Sequence, residues 1–192
     1  MGEKYGSPYQ DFPFSMMEVG KSAVAEWGGT CGCLIGAGAA LALFWGRKER
    51  DPLLNELFRW YEVTALPLFQ PAPGTAKIDK SMPTSVSESI LCHISVTKWC
   101  TANKIPSASP ERSERCARIT ADIAVKTAQI MQDKMDGTFK ATLAKSEGYE
   151  TCTTEGCHGG KKDAFEQPYL KGQMTCDPCH TGRKAMQDKR KE

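Results

Sequence analysis

Two short cysteine–histidine motifs near the C-terminus constrain this chain more than any other feature. The segment CTTEGCHGGKKDAFEQPYLKGQMTCDPCH, residues 152–180, contains C-x4-C-H followed by C-x2-C-H. The second spacing is typical of covalent haem c attachment, and the first is its longer variant. Two thiols at such a spacing reach the two vinyl groups of one porphyrin, and the histidine that follows binds the iron. The spacing therefore predicts two haem c groups per chain.

Each residue of the two motifs takes a predicted role. The thioether cysteines are Cys152, Cys157, Cys176 and Cys179, and the proximal iron ligands are His158 and His180. A four-thiolate zinc site and a pair of disulfides are the alternatives, because both use cysteine pairs at similar spacing. Neither alternative needs a histidine directly after each second cysteine, and the chain has only three histidines. The motifs therefore favour haem over zinc or disulfides.

The remaining cysteines form an odd set. The chain has nine cysteines, and those outside the two motifs are Cys31, Cys33, Cys92, Cys100 and Cys116. Five cysteines cannot all pair within one chain, so metal ligation or a free thiol is expected. The alternative is that they are small buried apolar residues. The net charge of +2 favours neither nucleic acid nor an acidic membrane as a partner.

Neither a membrane span nor an export signal is visible. The longest apolar run, CGCLIGAGAALALFWG at residues 31–46, is shorter than the roughly 20 residues that a membrane-spanning helix needs. The N-terminal sequence MGEKYGSPYQDFPF lacks the apolar segment of a secretory signal peptide. The apolar run at residues 31–46 is therefore expected to form a buried helix. Haem is attached to such motifs outside the bacterial cytoplasm, so we expect a periplasmic protein.

Apolar periodicity predicts a mainly α-helical fold with about five helices. They are expected at residues 16–27, 31–44, 51–64, 85–99 and 110–135, with a loop at residues 67–83. Thr30 and Ser109 are candidate helix caps, and Pro110 suits a first helical turn. The predicted organisation is a helical core at residues 1–136 and an irregular haem-bearing segment at residues 137–192.

Spacing also limits which core residues can act together. Cys31 and Cys33 lie at a glycine-rich helix start, where free backbone N–H groups favour thiolates and metal ligation. Cys92 and Cys100 would be about 12 Å apart along one helix, so both serve a small cluster only if the helix ends before Cys100. His93 points about 100° away from Cys92 on a helix, and it is a candidate distal haem ligand.

Three segments carry a family resemblance: GGTCGCLIGAGAALALFWG, LCHISVTKWC and SPERSERCARITADIAVKT. Together with the two motifs, they resemble the split-Soret cytochromes c, within the wider group of redox proteins named for a C-GCAxxG-C-C pattern. The resemblance covers residues 28–180. The wider group usually has a further cysteine upstream, where this chain offers Ser22. Cys33 stands where the pattern commonly has alanine, which makes it the weakest ligand candidate of the five.

The resemblance implies a helical homodimer with two haems per chain, whose porphyrins stack in pairs and split the Soret absorption band. It also implies an iron–sulfur cluster, expected here as a 2Fe–2S type. Its expected ligands are Cys31, Cys92, Cys100 and Cys116. An axial histidine comes from the partner subunit in this family, and His93 is the residue that fits this role.

The sequence supports two functional hypotheses. The first is electron transfer in an anaerobic-type respiratory chain, with a redox partner that the sequence does not identify. The second is a haem enzyme that reduces nitrite, hydroxylamine or peroxide at an open iron site. The second arises because three histidines cannot fill the four axial positions of two irons. Covalently held haems favour electron transfer, and so we expect a carrier rather than an enzyme.

Overall fold

The computed structural model describes residues 2–146, 149, 173 and 174, and the chain divides into two units, Met1–Leu143 and Ala144–Glu192. The first unit is mainly α-helical, as the sequence predicts. Its helices are α1 (Gly2–Tyr5), α2 (Ser22–Ala25), α3 (Gly32–Ala42), α4 (Arg47–Val63), α5 (Cys92–Asn103) and α6 (Pro110–Met135), with a 3-10 helix at Phe14–Gly20. Strands β1 (Ala65–Leu66) and β2 (Ser85–Val86) pair antiparallel. In this part of the chain, no helix is both long and apolar enough to cross a bilayer.

The longest helix, α6, has the bounds and the N-terminal cap that the sequence predicts. The Ser109 hydroxyl accepts a hydrogen bond from the backbone N–H of Arg112 at 3.2 Å, and Pro110 occupies the first turn, where its missing N–H costs nothing. The periodic apolar residues of this helix face the core, because Ile119, Ile123 and Ile130 are each 2% exposed. Local sequence signals thus determine this helix from cap to core.

The core forms where α3 packs against α4 and α6. Leu34 and Leu41 of α3 are fully buried against Leu57 of α4 and the isoleucines of α6. The predicted bounds of α3 are close to the observed ones, but Thr30 is not its cap. Cys31 occupies the N-cap position and makes no side-chain capping bond. Helix α4 begins one turn earlier than predicted, and Pro52 lies inside it.

The predicted helix at residues 16–27 is wrong. A 3-10 helix ends at Gly20, and residues 22–26 follow with positive φ angles between 50° and 70°. The reason is a close backbone approach: a Cβ atom on Gly32 would lie 2.1 Å from the carbonyl oxygen of Gly20. The chain therefore turns sharply to bring Gly20 onto the start of α3, which a continuous helix would not allow.

The predicted start of α5 at Ser85 is also wrong, because β2 occupies that position. Ala65 pairs with Val86 and Leu66 with Ser85. The buried Ser87 hydroxyl then donates a hydrogen bond to the backbone carbonyl of Tyr61 at 3.2 Å. These contacts come from residues nineteen to twenty-six positions away, so the local helical pattern is overridden and α5 begins at Cys92.

The loop between β1 and β2 is held to α6 by a buried arginine. Arg118 is 2% exposed, and its guanidinium donates to the Glu114 carboxylate at 2.9 Å, to Gln70 Oε1 at 3.0 Å and to the carbonyl of Ile78 at 2.6 Å. A second bond reaches the carbonyl of Lys80 at 3.0 Å. One side chain therefore binds three acceptors of a loop that has no regular structure.

We expect Arg118→Ala to lower the free energy of unfolding by about 3–5 kcal/mol, because the buried Glu114 carboxylate loses its partner. Urea unfolding followed by far-UV circular dichroism measures this loss. Gln129→Ala, at an exposed position of the same helix, is the control and should change stability by less than about 0.5 kcal/mol. Equal midpoints for the two variants would contradict this role of Arg118.

Candidate metal centre

A short backbone bridge brings the starts of α3 and α5 together. Thr30 and Leu91 form an isolated antiparallel bridge. The backbone N–H of Cys31 donates to the carbonyl of Ile90, and that of Cys92 donates to the carbonyl of Gly29, each at 2.9 Å. Two cysteines that are sixty-one residues apart in the sequence are thereby fixed beside each other.

Four cysteines line one small cavity between these helices and α6. The cavity measures about 20 Å³, and its cysteines are Cys31, Cys33, Cys92 and Cys116. Contact between α3 and α6 is direct, because Cys33 Sγ lies 3.0 Å from Thr120 Oγ1. In the described part of the chain, no three potential ligands converge closely enough for a single metal ion. An iron–sulfur cluster has several atoms, so its thiolates surround it instead of converging on one point.

The thiols of the cavity differ in acidity. A hydrogen bond from the Cys33 side chain lowers the pKa of Cys31 to about 6, although burial acts in the opposite direction. The same interaction with Cys31, together with burial, raises the pKa of Cys33. Burial also raises the pKa of Cys92. Among Cys31, Cys33 and Cys92, Cys31 is therefore the thiol that carries negative charge most readily near neutral pH.

A polar network connects this cavity to α4 and α6. The Tyr61 hydroxyl and Arg115 Nη2 each donate to Ser95 Oγ at 2.8 Å. Tyr61 also lies within hydrogen-bonding reach of Cys31, and burial is the main cause that raises the Tyr61 pKa. Its hydroxyl therefore stays protonated and can donate to either Ser95 or the Cys31 sulfur.

The buried positive charge of Arg115 indicates which kind of group would fit this cavity. Arg115 is 2% exposed and lines the cavity, and its Nε has no hydrogen-bond partner. A buried cation with an unused donor is costly unless an anion faces it. Four thiols across the cavity supply that anion when they are deprotonated around iron. The donor set therefore fits an anionic, thiolate-bound metal group.

The sequence-predicted ligands are only partly brought together. Cys31, Cys92 and Cys116 line the cavity, but Cys100 does not. Helix α5 runs without a break from Cys92 to Asn103, which places Cys100 about 12 Å along the axis from Cys92. The cavity includes Cys33 instead, which the family pattern ranked last. The C-x-C spacing at the start of α3 was the one signal that pointed to it.

The same four cysteines border a wider apolar groove of about 870 Å³. Small residues of α3 and α6 form much of its wall, among them Gly36, Ala40, Ala124 and Ala128. Because the groove is open to solvent, it gives access to the four cysteines from outside the helical core.

His93 is held in an orientation that suits an iron ligand. Its Nδ1 lies 2.7 Å from the carbonyl oxygen of Gly28, and the side chain is exposed. A carbonyl can only accept, so Nδ1 carries the proton and Nε2 is left with a free lone pair. Gly28 has φ +70°, and a Cβ there would lie 3.0 Å from His93 Nδ1. Glycine is therefore needed for this contact.

The haem-attachment residues lie outside the described residues. They are Cys152, Cys157, His158, Cys176, Cys179 and His180. Their roles remain predictions from the sequence.

Comparisons with known proteins agree with the resemblance seen in the sequence. Residues 1–130 match the family described as "Putative redox-active protein (C_GCAxxG_C_C)". The chain is 49% identical over 191 residues to the split-Soret cytochrome c of Desulfovibrio desulfuricans, which covers 98% of this chain and 67% of that protein. A solved structure described as "A novel iron centre in the split-Soret cytochrome c from Desulfovibrio desulfuricans ATCC 27774" matches with a TM-score of 0.86 and 49% identity, over 99% of this chain and 78% of that one. This chain therefore belongs to the split-Soret cytochrome c family, within the wider C_GCAxxG_C_C group of redox proteins.

Proposed function

We propose that this protein is a dihaem c-type cytochrome that transfers electrons in an anaerobic-type respiratory chain and carries an additional iron–sulfur cluster. The observation that carries the proposal is the cavity with four cysteines and a buried arginine, in a chain that also has two haem-attachment motifs. Because haem is attached outside the cytoplasm, the proposed location is the periplasm.

Each haem has its own set of residues in this proposal. Cys152, Cys157 and His158 hold one haem, and Cys176, Cys179 and His180 hold the other. Only seventeen residues, 159–175, separate the motifs, which favours two porphyrins close together. When bound, the haems supply one-electron redox chemistry, and the histidine ligands set their potentials.

For the cluster, we propose Cys31, Cys33, Cys92 and Cys116 as the ligands of a 2Fe–2S group. Three of these follow from the family resemblance. Cys33 takes the place of Cys100 because it lines the same cavity as the other three. The wider group usually has a further cysteine upstream, where this chain offers Ser22, and with Cys33 the cavity has four thiols. The D. desulfuricans structure is described as having a novel iron centre, which is consistent with iron at this site.

His93 is the proposed distal ligand of one haem, in the partner subunit of a homodimer. The His93 side chain is exposed, and Nε2 is not the nitrogen that contacts Gly28, so Nε2 can bind an iron. A neutral imidazole whose Nδ1–H is bonded to a carbonyl is the usual state of a histidine ligand. Exposure of His93 in the single chain supports a ligand role across a subunit interface.

We expect His93→Ala to convert one haem from low to high spin and to create a carbon monoxide site that the wild-type protein lacks. Loss of a strong-field imidazole leaves one iron five-coordinate. Visible spectra of the reduced protein, with and without carbon monoxide, measure both changes. Unchanged spectra in the variant would contradict the ligand role.

Two glycine variants distinguish displacement of the His93 side chain from backbone strain at a positive φ angle. Gly28→Ala puts a Cβ against His93 Nδ1 and should give part of the same spectral change. Gly74→Ala introduces alanine at a similar φ of +78°, but nothing lies within 4 Å of its Cβ, so haem spectra should stay unchanged.

The haem-enzyme hypothesis stays as a second candidate because the chain has only three histidines for four axial positions. An enzyme of this type would keep one iron open for nitrite, hydroxylamine or peroxide. A large spectral response of the wild-type protein to carbon monoxide would favour it over electron transfer.

A further inference from the structure

We propose that Arg115 is the internal counter-charge of the cysteine cavity and raises the reduction potential of the metal group held there. The inference rests on the proposed iron–sulfur function and goes beyond it. It assigns a tuning role to a residue that is not itself a ligand.

The first observation is the environment of Arg115 within the described residues. The side chain is 2% exposed, yet no carboxylate there lies within ion-pairing distance. Its known contacts are the 2.8 Å bond from Nη2 to Ser95 Oγ and the Trp99 ring, whose centroid lies 5.7 Å from the guanidinium carbon. Nε has no hydrogen-bond partner.

Arg118, three residues later on the same helix, is a buried arginine with a purely structural role, and its contacts can be compared with those of Arg115. It is equally buried, but it has a carboxylate partner and three further acceptors. Burial of a guanidinium without a carboxylate costs several kcal/mol in general, so a charge kept in this state needs another anion. For Arg115, the groups that can supply it are the thiols that line the same cavity.

The second observation is that Arg115 is held in place at the cavity wall by its neighbours, among them Ser95, which lines the same cavity. Ser95 Oγ accepts from Arg115 and also from the Tyr61 hydroxyl, which fixes the serine between α4 and α6. The ring of Trp99, itself fully buried, covers the guanidinium. The positive charge therefore cannot move away into solvent.

The physical consequence concerns the two redox states of a thiolate-bound iron group. Reduction adds one electron, taken from an external donor, and makes the group more negative by one charge. A fixed positive charge in a medium of low dielectric constant stabilises the more negative state. Arg115 should therefore raise the midpoint potential, in the way that local charge and hydrogen bonds generally tune such clusters.

The test is a redox titration of the holoprotein followed by electron paramagnetic resonance of the cluster. Arg115→Gln and Arg115→Met remove the charge, and Arg115→Lys retains it. Methionine is included because it keeps a long unbranched side chain and introduces no polar group that would need a buried partner. We expect a lower cluster potential in both neutral variants and a potential near that of the wild type in the lysine variant. Loss of iron that occurs in the neutral variants but not in the lysine variant would also support the proposal.

Arg112→Gln is the matched control. Arg112 lies about one turn earlier on α6, is partly exposed, and acts on Cys92 through its charge. Solvent screens its charge, so its removal should shift the potential less than removal of Arg115. A wild-type potential in Arg115→Gln or Arg115→Met, or an equal shift in Arg112→Gln, would overturn the proposal. A wild-type protein without any cluster signal would instead reject the proposed function itself.

Discussion

Replacement of both Cys176 and Cys179 with serine should leave a protein that carries one haem and has a single, unsplit Soret band. The split band of this family is attributed to coupling between stacked porphyrins. Such coupling needs two rings, so removal of one attachment site removes the splitting as well as half of the haem. Absorption spectra and a pyridine haem count, on protein matured in a haem-attaching host, measure both effects.

The reciprocal variant provides the control. Cys152→Ser with Cys157→Ser removes the other motif and should give the same haem count and the same unsplit band. If the splitting persists in either variant, the two haems of one chain are not the coupled pair. If neither variant changes the haem content, the two motifs do not attach haem and the zinc alternative gains support.

Replacement of Cys33 with alanine should abolish the normal iron–sulfur signal, whereas Cys100→Ala should retain it. Cys33 lines the cavity with the other three cysteines, and Cys100 lies near the far end of α5. Alanine is common at the Cys33 position in the wider group, so this change should not disturb the fold. Electron paramagnetic resonance of the reduced protein and iron per chain are the measurements.

The two variants are matched, because both remove a half-buried helical cysteine. Haem content serves as an internal reference, since neither residue belongs to an attachment motif. The reverse result, with the signal lost only in Cys100→Ala, would restore the ligand set that the family resemblance implies. It would also require α5 to unwind before Cys100 when the cluster forms.

Elements with strong local signals could be predicted closely. Helix α6 needs only a serine cap, a proline in the first turn and an apolar residue every three or four positions, and all of these are local. The segment before α3 could not be predicted in this way. Its shape follows from the contact of Gly20 with Gly32, which the periodicity of either segment does not contain.

The candidate site also has one part that could be predicted from the sequence and another that could not. The residue types of the site, its cysteines and His93, could be read from the sequence, and so could the family. The choice between Cys33 and Cys100 could not, because it depends on a backbone bridge that joins Thr30 to Leu91 and on the unbroken course of α5. The hydrogen bond from His93 to Gly28 is likewise a contact over sixty-five positions.

The sequence by itself determined the helical class and the family, and it predicts the haem-attachment chemistry, because covalent motifs and helix periodicity are properties of neighbouring residues. Only the tertiary structure decided which thiols share a cavity and that a buried arginine without a carboxylate faces them. The physical reason is that the energy of a buried charge depends on what surrounds it in space, and those surroundings come from four different helices, α3 to α6.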